Sequence, residues 1–298
     1  MKDFSLWGVK VRKYPEYNYH AIWFNLKTLR LGTGQAKQLP PEKSEFYDIS
    51  LGTKCNMCCP FCYTSATSDG VFYKDVVKKI QTFFGSMDRN QRPVQVAFGS
   101  ENEPTIHPDF LDVIKATYDL GIVPNYTTNG LTLCSKGNEK LLEYTEKYCG
   151  GVAVSTGNGG DTWKKAVEIL QTRDVFINLH IIISNEESVI SFLDTYAKYK
   201  DAVHTFVLLP LMPHGRSKTK YTEEAFNKLV DSWDKIDEPE KVAFGANFYP
   251  DLVKQKKIKA YLYEPESFSK NIILGTGDTI RITPSSFNTE ETLYEFKI

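Results

Sequence analysis

Four of the chain's six cysteines fall within eight residues, as Cys55, Cys58, Cys59 and Cys62; Cys134 and Cys149 stand apart. Thiolates are nucleophiles and metal ligands. Adjacent Cys58 and Cys59 make a poor disulfide framework, and the N-terminal MKDFSLWGVKVRKYPE contains no apolar secretory segment. Clustered thiols in that setting point to a metal or an iron–sulfur cluster. A structural zinc site usually draws two ligand pairs from separated segments, and no second Cys/His pair of that spacing is present. Thiolates so clustered can instead ligate an iron–sulfur cluster. Two registers offer three ligands, Cys55-x3-Cys59-x2-Cys62 and Cys55-x2-Cys58-x3-Cys62.

Such a loop needs a rigid frame, and the chain supplies one. Residues 1–45 read as a small appendage, a hairpin of Tyr19–Asn25 and Thr28–Leu31 followed by a Pro-Pro linker. Gly32-Thr33-Gly34 reads as a loop. From residue 46 to about 240, short apolar runs alternate with helical periods. Strands are predicted over Phe46–Leu51, Val94–Phe98, Ile122–Thr127, Val152–Ser155, Phe176–Ser184 and Thr205–Leu211. Helices are predicted from Phe72 to Gly85, from Pro108 (at the first helical position) to Gly121, and over Asn138–Tyr148. Three more follow, one capped by Asp161 with Trp163, Ala166, Val167 and Leu170 inside, one marked by Val189, Phe192, Leu193 and Tyr196, and one capped by Thr222. Six β–α units of continuous apolar strands predict an α/β fold, a parallel sheet covered by helices, open or barrel-like. Residues 241–298 read as an α+β extension, with a further strand at Val242–Phe248 and a hairpin of Ile272–Leu274 and Thr279–Ile282 around Gly275-Thr276-Gly277-Asp278.

In a parallel α/β sheet the chemistry sits at the C-terminal ends of the strands. The cysteine loop follows the first strand. FGSENEPTIHPDF (Phe98–Phe110) follows the second, with small Gly99 and Ser100 and a carboxylate at Glu103. YTTNGL (Tyr126–Leu131), AVSTG (Ala153–Gly157) and LLPLMPHGR (Leu208–Arg216) end the third, fourth and sixth, and the fifth carries His180.

On these residues the chain resembles the radical S-adenosylmethionine superfamily. The match is Cys55-x3-Cys59-x2-Cys62 with Phe61 and Tyr63 around the third cysteine, then Glu103-Pro104 about 40 residues on. Glu101-Asn102 stand where the family often has glycine. The resemblance covers roughly residues 46–216. It implies a partial (β/α)6 barrel, a 4Fe–4S cluster on Cys55, Cys59 and Cys62 with Cys58 a bystander, and S-adenosylmethionine on the open iron. It implies that a 5′-deoxyadenosyl radical abstracts hydrogen from a substrate. Cofactor contacts are implied at Phe61, Tyr63, Gly99, Ser100, Glu103, Thr128, Asn129, Ser155 and Met212, with Glu103 on the methionine amino group and Met212 near the adenine. Arg216 or His214 would meet a carboxylate. With no cysteine after Cys149, one cluster is expected, and no cobalamin-binding segment is evident.

Composition bounds the rest. Lys plus Arg number 36 against 37 Asp plus Glu, so no strongly basic nucleic-acid footprint exists. The apolar runs are shorter than the roughly 20 residues of a membrane helix. No Walker A segment and no Ser-His-Asp motif appear. The expectation is a cytoplasmic enzyme reduced by flavodoxin or ferredoxin. Its substrate is a peptide or protein side chain, suggested by aromatics such as Trp23, Phe24, Tyr261 and Tyr263, or else a nucleoside or other small metabolite. The competing readings are a non-catalytic iron–sulfur or zinc protein and an activase for a glycyl-radical partner.

Overall fold

The computed structural model describes residues 9–14, 19–24, 29–33, 44, 46–89, 91–157, 160–258, 269–285 and 288–298. Strands β1 (Val9–Tyr14), β2 (Tyr19–Phe24) and β3 (Leu29–Thr33) form one antiparallel sheet. The expected hairpin is its β2–β3 half, and β1 adds an unexpected third strand. The linker, Gly34, and Tyr261 and Tyr263 lie outside the described residues, as do the side chains of Trp23 and Phe24.

The main sheet has ten strands. Seven run parallel and side by side in chain order: β4 (Phe46–Ser50), β5 (Gln95–Phe98), β6 (Val123–Thr128), β7 (Gly151–Ser155), β8 (Phe176–Ile183), β9 (Thr205–Pro210) and β10 (Val242–Phe244). The first six are joined by α1 (Val76–Gly85), α2 (Phe110–Asp119), α3 (Glu139–Tyr148), α4 (Thr162–Leu170) and α5 (Glu186–Tyr199), and α6 (Glu223–Asp231) leads on to β10. Right-handed crossovers between sequential neighbours put every helix on one face, which curls the sheet and leaves the other face concave. The core lies between sheet and helices. Tyr47 of β4 packs on Phe83 and Phe84 of α1, Phe98 of β5 on Phe110 of α2, and Phe206 of β9 on Phe192 and Tyr196 of α5. The strand order is linear, so this is a partial barrel.

Several details differ from the sequence expectation. The first helix begins at Val76, not Phe72, because Phe72 bridges Gly52 and Tyr73 N bonds Leu51 O, which keeps that stretch extended. Pro108 precedes α2 by two residues, after a 3-10 turn at Pro104–Ile106. Asp161 occupies the cap position of α4 but its carboxylate pairs with Lys164 at 2.5 Å instead of the helix amides. Thr222 does cap α6, accepting Ala225 N at 3.1 Å. The expected strand at Val242–Phe248 is only β10; a 3-10 turn (Ala246–Phe248) and α7 (Tyr249–Leu252) follow, and Phe248 is buried on Tyr221 and Phe226.

The expected C-terminal hairpin is β11 (Ser269–Ile273) with β12 (Thr279–Thr283), followed by an unforeseen β13 (Tyr294–Lys297). It is continuous with the core, since β11 runs parallel to β4 along its whole length. Lys79 of α1 secures it from the helix side. Its Nζ donates to Leu274 O at 3.0 Å and Gly275 O at 2.8 Å, and the residue is 3% exposed. Burial lowers the Lys79 pKa.

Candidate active site

The cysteine loop leaves the C-terminal end of β4 and is held at both margins. Cys55 N bonds Thr67 O at 2.9 Å and Thr53 N bonds Val71 O at 2.9 Å, closing its base. Cys62 N bonds Cys59 O at 3.1 Å, turning the chain so that both thiols belong to one tight turn. Cys55, Cys59 and Cys62 are half-buried and Cys58 is exposed.

The segment after β9 clamps this loop. Arg216 N donates to Cys62 O at 2.9 Å, its Nε to Cys59 O at 2.8 Å and its Nη1 to Ala66 O at 2.9 Å. Gly215 (φ +60°) lies so close that an added Cβ would collide with the carbonyl oxygens of Cys62 and Tyr63. Arg216, expected to meet a carboxylate, thus has two of its nitrogens bonded to backbone carbonyls. Sequence reasoning missed this clamp, because nothing in LLPLMPHGR announces contact with a segment about 150 residues earlier.

From the other side the ends of β5 and β6 approach. Glu103, 3% exposed, is the hub. Its Oε1 accepts from Thr105 Oγ1 at 2.7 Å, Thr128 Oγ1 at 2.8 Å and Thr105 N at 3.3 Å; its Oε2 accepts from Asn129 N at 2.7 Å. Its own N donates to Lys54 O at 3.1 Å, next to Cys55. Asn129 Nδ2 donates to Asn56 Oδ1 at 2.8 Å and reaches Cys55 Sγ at 4.0 Å. Gly99 sits at φ +112°, where a Cβ would come within 2.7 Å of Thr127 O, so only glycine lets β5 and β6 close up there. Tyr63 OH donates to Ser100 O, and Ser100 Oγ donates to Asn271 Oδ1 at 2.7 Å. Asn271, another residue that sequence reasoning missed, ties the site to β11.

The structure therefore brings Cys55, Cys59, Cys62, Tyr63, Gly99, Ser100, Glu103, Thr128 and Asn129 into one connected region at the ends of β4–β6. Phe61 reaches the end of β7, its ring 3.1 Å from where a Cβ on Gly157 would stand. Ser155 ends β7 beside His180 of β8. Met212 lies half-buried two residues beyond the end of β9.

Electrostatics follow burial. Burial raises the Glu103 pKa against its four hydrogen bonds, which lower it. Burial also raises the Cys55 and Cys59 thiols, opposed at Cys55 by the Met57 amide and at Cys59 by the Arg216 charge. Thiol ligation expels those protons. Among the described residues no three His, Cys, Asp or Glu side chains converge on a single-ion site. The 4Fe–4S cluster that the sequence resemblance implies would take three thiolates, each on a different iron, and one loop carrying three half-buried cysteines is a donor set that fits it.

No protein-family model matches the chain. It is 26% identical over 101 residues to a 7,8-dihydro-6-hydroxymethylpterin dimethyltransferase of Methanocaldococcus jannaschii, 34% of this chain and 19% of that one. It is 26% identical over 97 residues to a tungsten-containing aldehyde ferredoxin oxidoreductase cofactor-modifying protein of Pyrococcus furiosus, 32% of this chain and 26% of that one. The matched stretches thus span about a quarter or less of these curated relatives. Among solved structures, Streptococcus suis SuiB bound to S-adenosylmethionine superposes with a TM-score of 0.64 at 15% identity over 86% of this chain and 63% of that one. The complex of SuiB with its precursor peptide SuiA gives 0.61 at 17% identity, over 84% of this chain and 62% of that one. The protein anSMEcpe with bound AdoMet and Cp18Cys peptide gives 0.56 at 13% identity, over 82% of this chain and 74% of that one. Strand order, the place of the cysteine loop and these superpositions together give the chain the fold of the radical S-adenosylmethionine enzymes.

Proposed function

We propose that this chain is a radical S-adenosylmethionine enzyme with one 4Fe–4S cluster on Cys55, Cys59 and Cys62 and a peptide or protein side chain as substrate. The observation that carries it is the joining of the cysteine loop to Glu103 and Asn129 at the C-terminal ends of adjacent strands. When bound and reduced, the cluster supplies the electron that splits S-adenosylmethionine to a 5′-deoxyadenosyl radical, the species that takes hydrogen from the substrate.

The protein's own part is to hold and orient. Glu103 Oε2 carries a single hydrogen bond and keeps capacity for the cofactor's amino group. Gly99 and Ser100 bring backbone close to it. Phe61, Tyr63, Thr128, Asn129 and Ser155 line the path from the cluster across the concave face toward Met212. Arg216 fixes the loop so that Cys59 and Cys62 keep their spacing. A flavodoxin or ferredoxin would approach the exposed side of the loop, near Cys58. A cytoplasmic location suits six unpaired cysteines. Among the described residues no helix is long and apolar enough to cross a membrane.

SuiB and anSMEcpe are both recorded with peptides, which supports a peptide substrate. The curated relatives favour the second reading, a small molecule, because their names specify a pterin and a cofactor.

The test is anaerobic reconstitution with iron and sulfide, reduction, addition of S-adenosylmethionine and assay for 5′-deoxyadenosine. Wild type and Cys58→Ala should each bind about four irons and form product, and Cys59→Ala should do neither. Uptake of zinc in place of an iron–sulfur cluster would overturn the proposal.

A further inference from the structure

We propose that the concave face of the barrel binds a cationic side chain of the substrate, an ammonium or guanidinium. Asp48 is its ion-pair partner, and the amide oxygens of Asn125 and Asn178 are further acceptors. Assigning that cation to a substrate rests on the function proposed above; the site itself does not.

On β4, Tyr47 and Ile49 are buried toward α1, so Asp48 between them faces the concave side. In the sheet it lies beside Ala97 of β5 and Asn271 of β11, and Ala97 in turn lies beside Asn125 of β6. Neither neighbour answers the carboxyl. Ala97 has no polar group, and Asn271 spends its Oδ1 on Ser100 and its Nδ2 on Thr283 at 3.1 Å. Across the face, Asn178 and His180 of β8 alternate with buried Ile177, Leu179 and Ile181. The Oδ1 atoms of Asn125 and Asn178 are buried without a hydrogen-bond partner. The Asn125 nitrogen is committed to Gln95 Oε1 at 3.1 Å, which leaves its oxygen as the free end.

Among the described residues this face is thus rich in unmet acceptors, and from β4 to β9 it holds no cation. From β5 to β9 its other groups are amides, hydroxyls and apolar side chains, with His180 the titratable group within the strands and His204 stacked on Phe176 at the start of β8. The register sets one cation on the same face beyond β11, Arg281 of β12 opposite Ile273; it acts on Glu101 and Tyr73 and donates to Thr292 Oγ1 at 3.4 Å. Burial alone holds His180 down at about 4, neutral at physiological pH, and burial alone lifts Asp48 to about 7. An incoming ammonium or guanidinium completes the ion pair, satisfies the amide oxygens and returns Asp48 to its charged form.

The experiment titrates N-butylguanidinium, and its neutral isostere N-butylurea, into the full chain by calorimetry. Wild type at pH 8 should bind the guanidinium saturably and at least about tenfold more tightly than the urea, the ratio one extra ion pair of about 1.4 kcal/mol produces. Below pH 7 its affinity should fall about tenfold per pH unit as Asp48 takes a proton. The isosteric Asp48→Asn should lose the preference. Equal affinity for both probes, a preference that survives in Asp48→Asn, or no saturable binding of either would each overturn the site. The 5′-deoxyadenosine assay separates the two claims. Product without cation binding sinks this site alone; cation binding with no cofactor cleavage sinks the enzyme assignment alone.

Discussion

Arg216 shows how much one side chain can carry. It makes three hydrogen bonds to the cysteine loop, two from the guanidinium and one from the backbone. Truncation in Arg216→Ala would leave the Cys59 and Ala66 carbonyls short of a donor, at about 1–3 kcal/mol for each buried group. Lower iron retention after gel filtration is the expected outcome, together with a lower urea midpoint. Gly215→Ala should do the same from the backbone side. Its φ of +60° costs an L-residue about 1–2 kcal/mol, and the Cβ meets two carbonyl oxygens. Glu103 is the other decisive residue. In Glu103→Gln the amide nitrogen must replace one acceptor oxygen, opposite either Asn129 N or the Thr105 and Thr128 donors. The variant should fold less stably and bind S-adenosylmethionine more weakly, measured by thermal melting with and without the cofactor.

At the scale of elements, the C-terminal strands behave as part of the barrel. β11 extends the parallel sheet from β4, and Lys79 of α1 closes the hairpin turn from behind. Lys79→Met keeps the length and apolar stem of the side chain and removes its charge. The two carbonyls at Leu274 and Gly275 then lose their donor. The expected loss is about 1–3 kcal/mol, accompanied by faster amide exchange in β11 and β12 than in β7 and β8. Uniform exchange across the sheet would show that the strand pairing alone holds the hairpin. The same elements explain how Ser100 is fixed, through Asn271, which is 1% exposed, to Thr283.

At the scale of the molecule, two titratable groups on the concave face set opposite pH trends. Asp48 has its pKa raised to about 7 from 3.8. Between those values the folded chain binds a proton that the unfolded chain releases, so stability falls as pH rises from about 4 to 7. His180 has its pKa lowered to about 4 from 6.5. Its contribution is present above pH 6.5 and is lost as pH falls toward 4. Asp48→Asn should therefore stabilise the chain at pH 8 by up to roughly 4 kcal/mol, since each tenfold change in proton affinity is worth about 1.36 kcal/mol, and leave it little changed at pH 4. His180→Gln should flatten the loss below pH 6.5. Urea midpoints across pH 4–8 decide both.

The α/β class, the hairpins and the cysteine motif were legible from residue order, because each depends on near neighbours. Parallel strands read as apolar runs since both faces are covered, and the buried faces of α1 and α4 were set by spacing alone. Glu103 was singled out through the family resemblance, from Glu-Pro at a strand end about 40 residues after the cysteines. The start of α1, by contrast, was decided by a bridge from Phe72 to Gly52, a contact outside any helical period. The lone Asp in FYDIS was a visible signal, yet its lack of a partner is a fact about β5 and β11. Arg216, Asn271 and Lys79 reach across about 157, 171 and 195 residues of chain to their partners. Sequence determined which groups exist and which strands carry them; only the curling of the sheet decided which of them face one another, because pairings between distant segments are selected by the packing of the whole and leave no period in the chain.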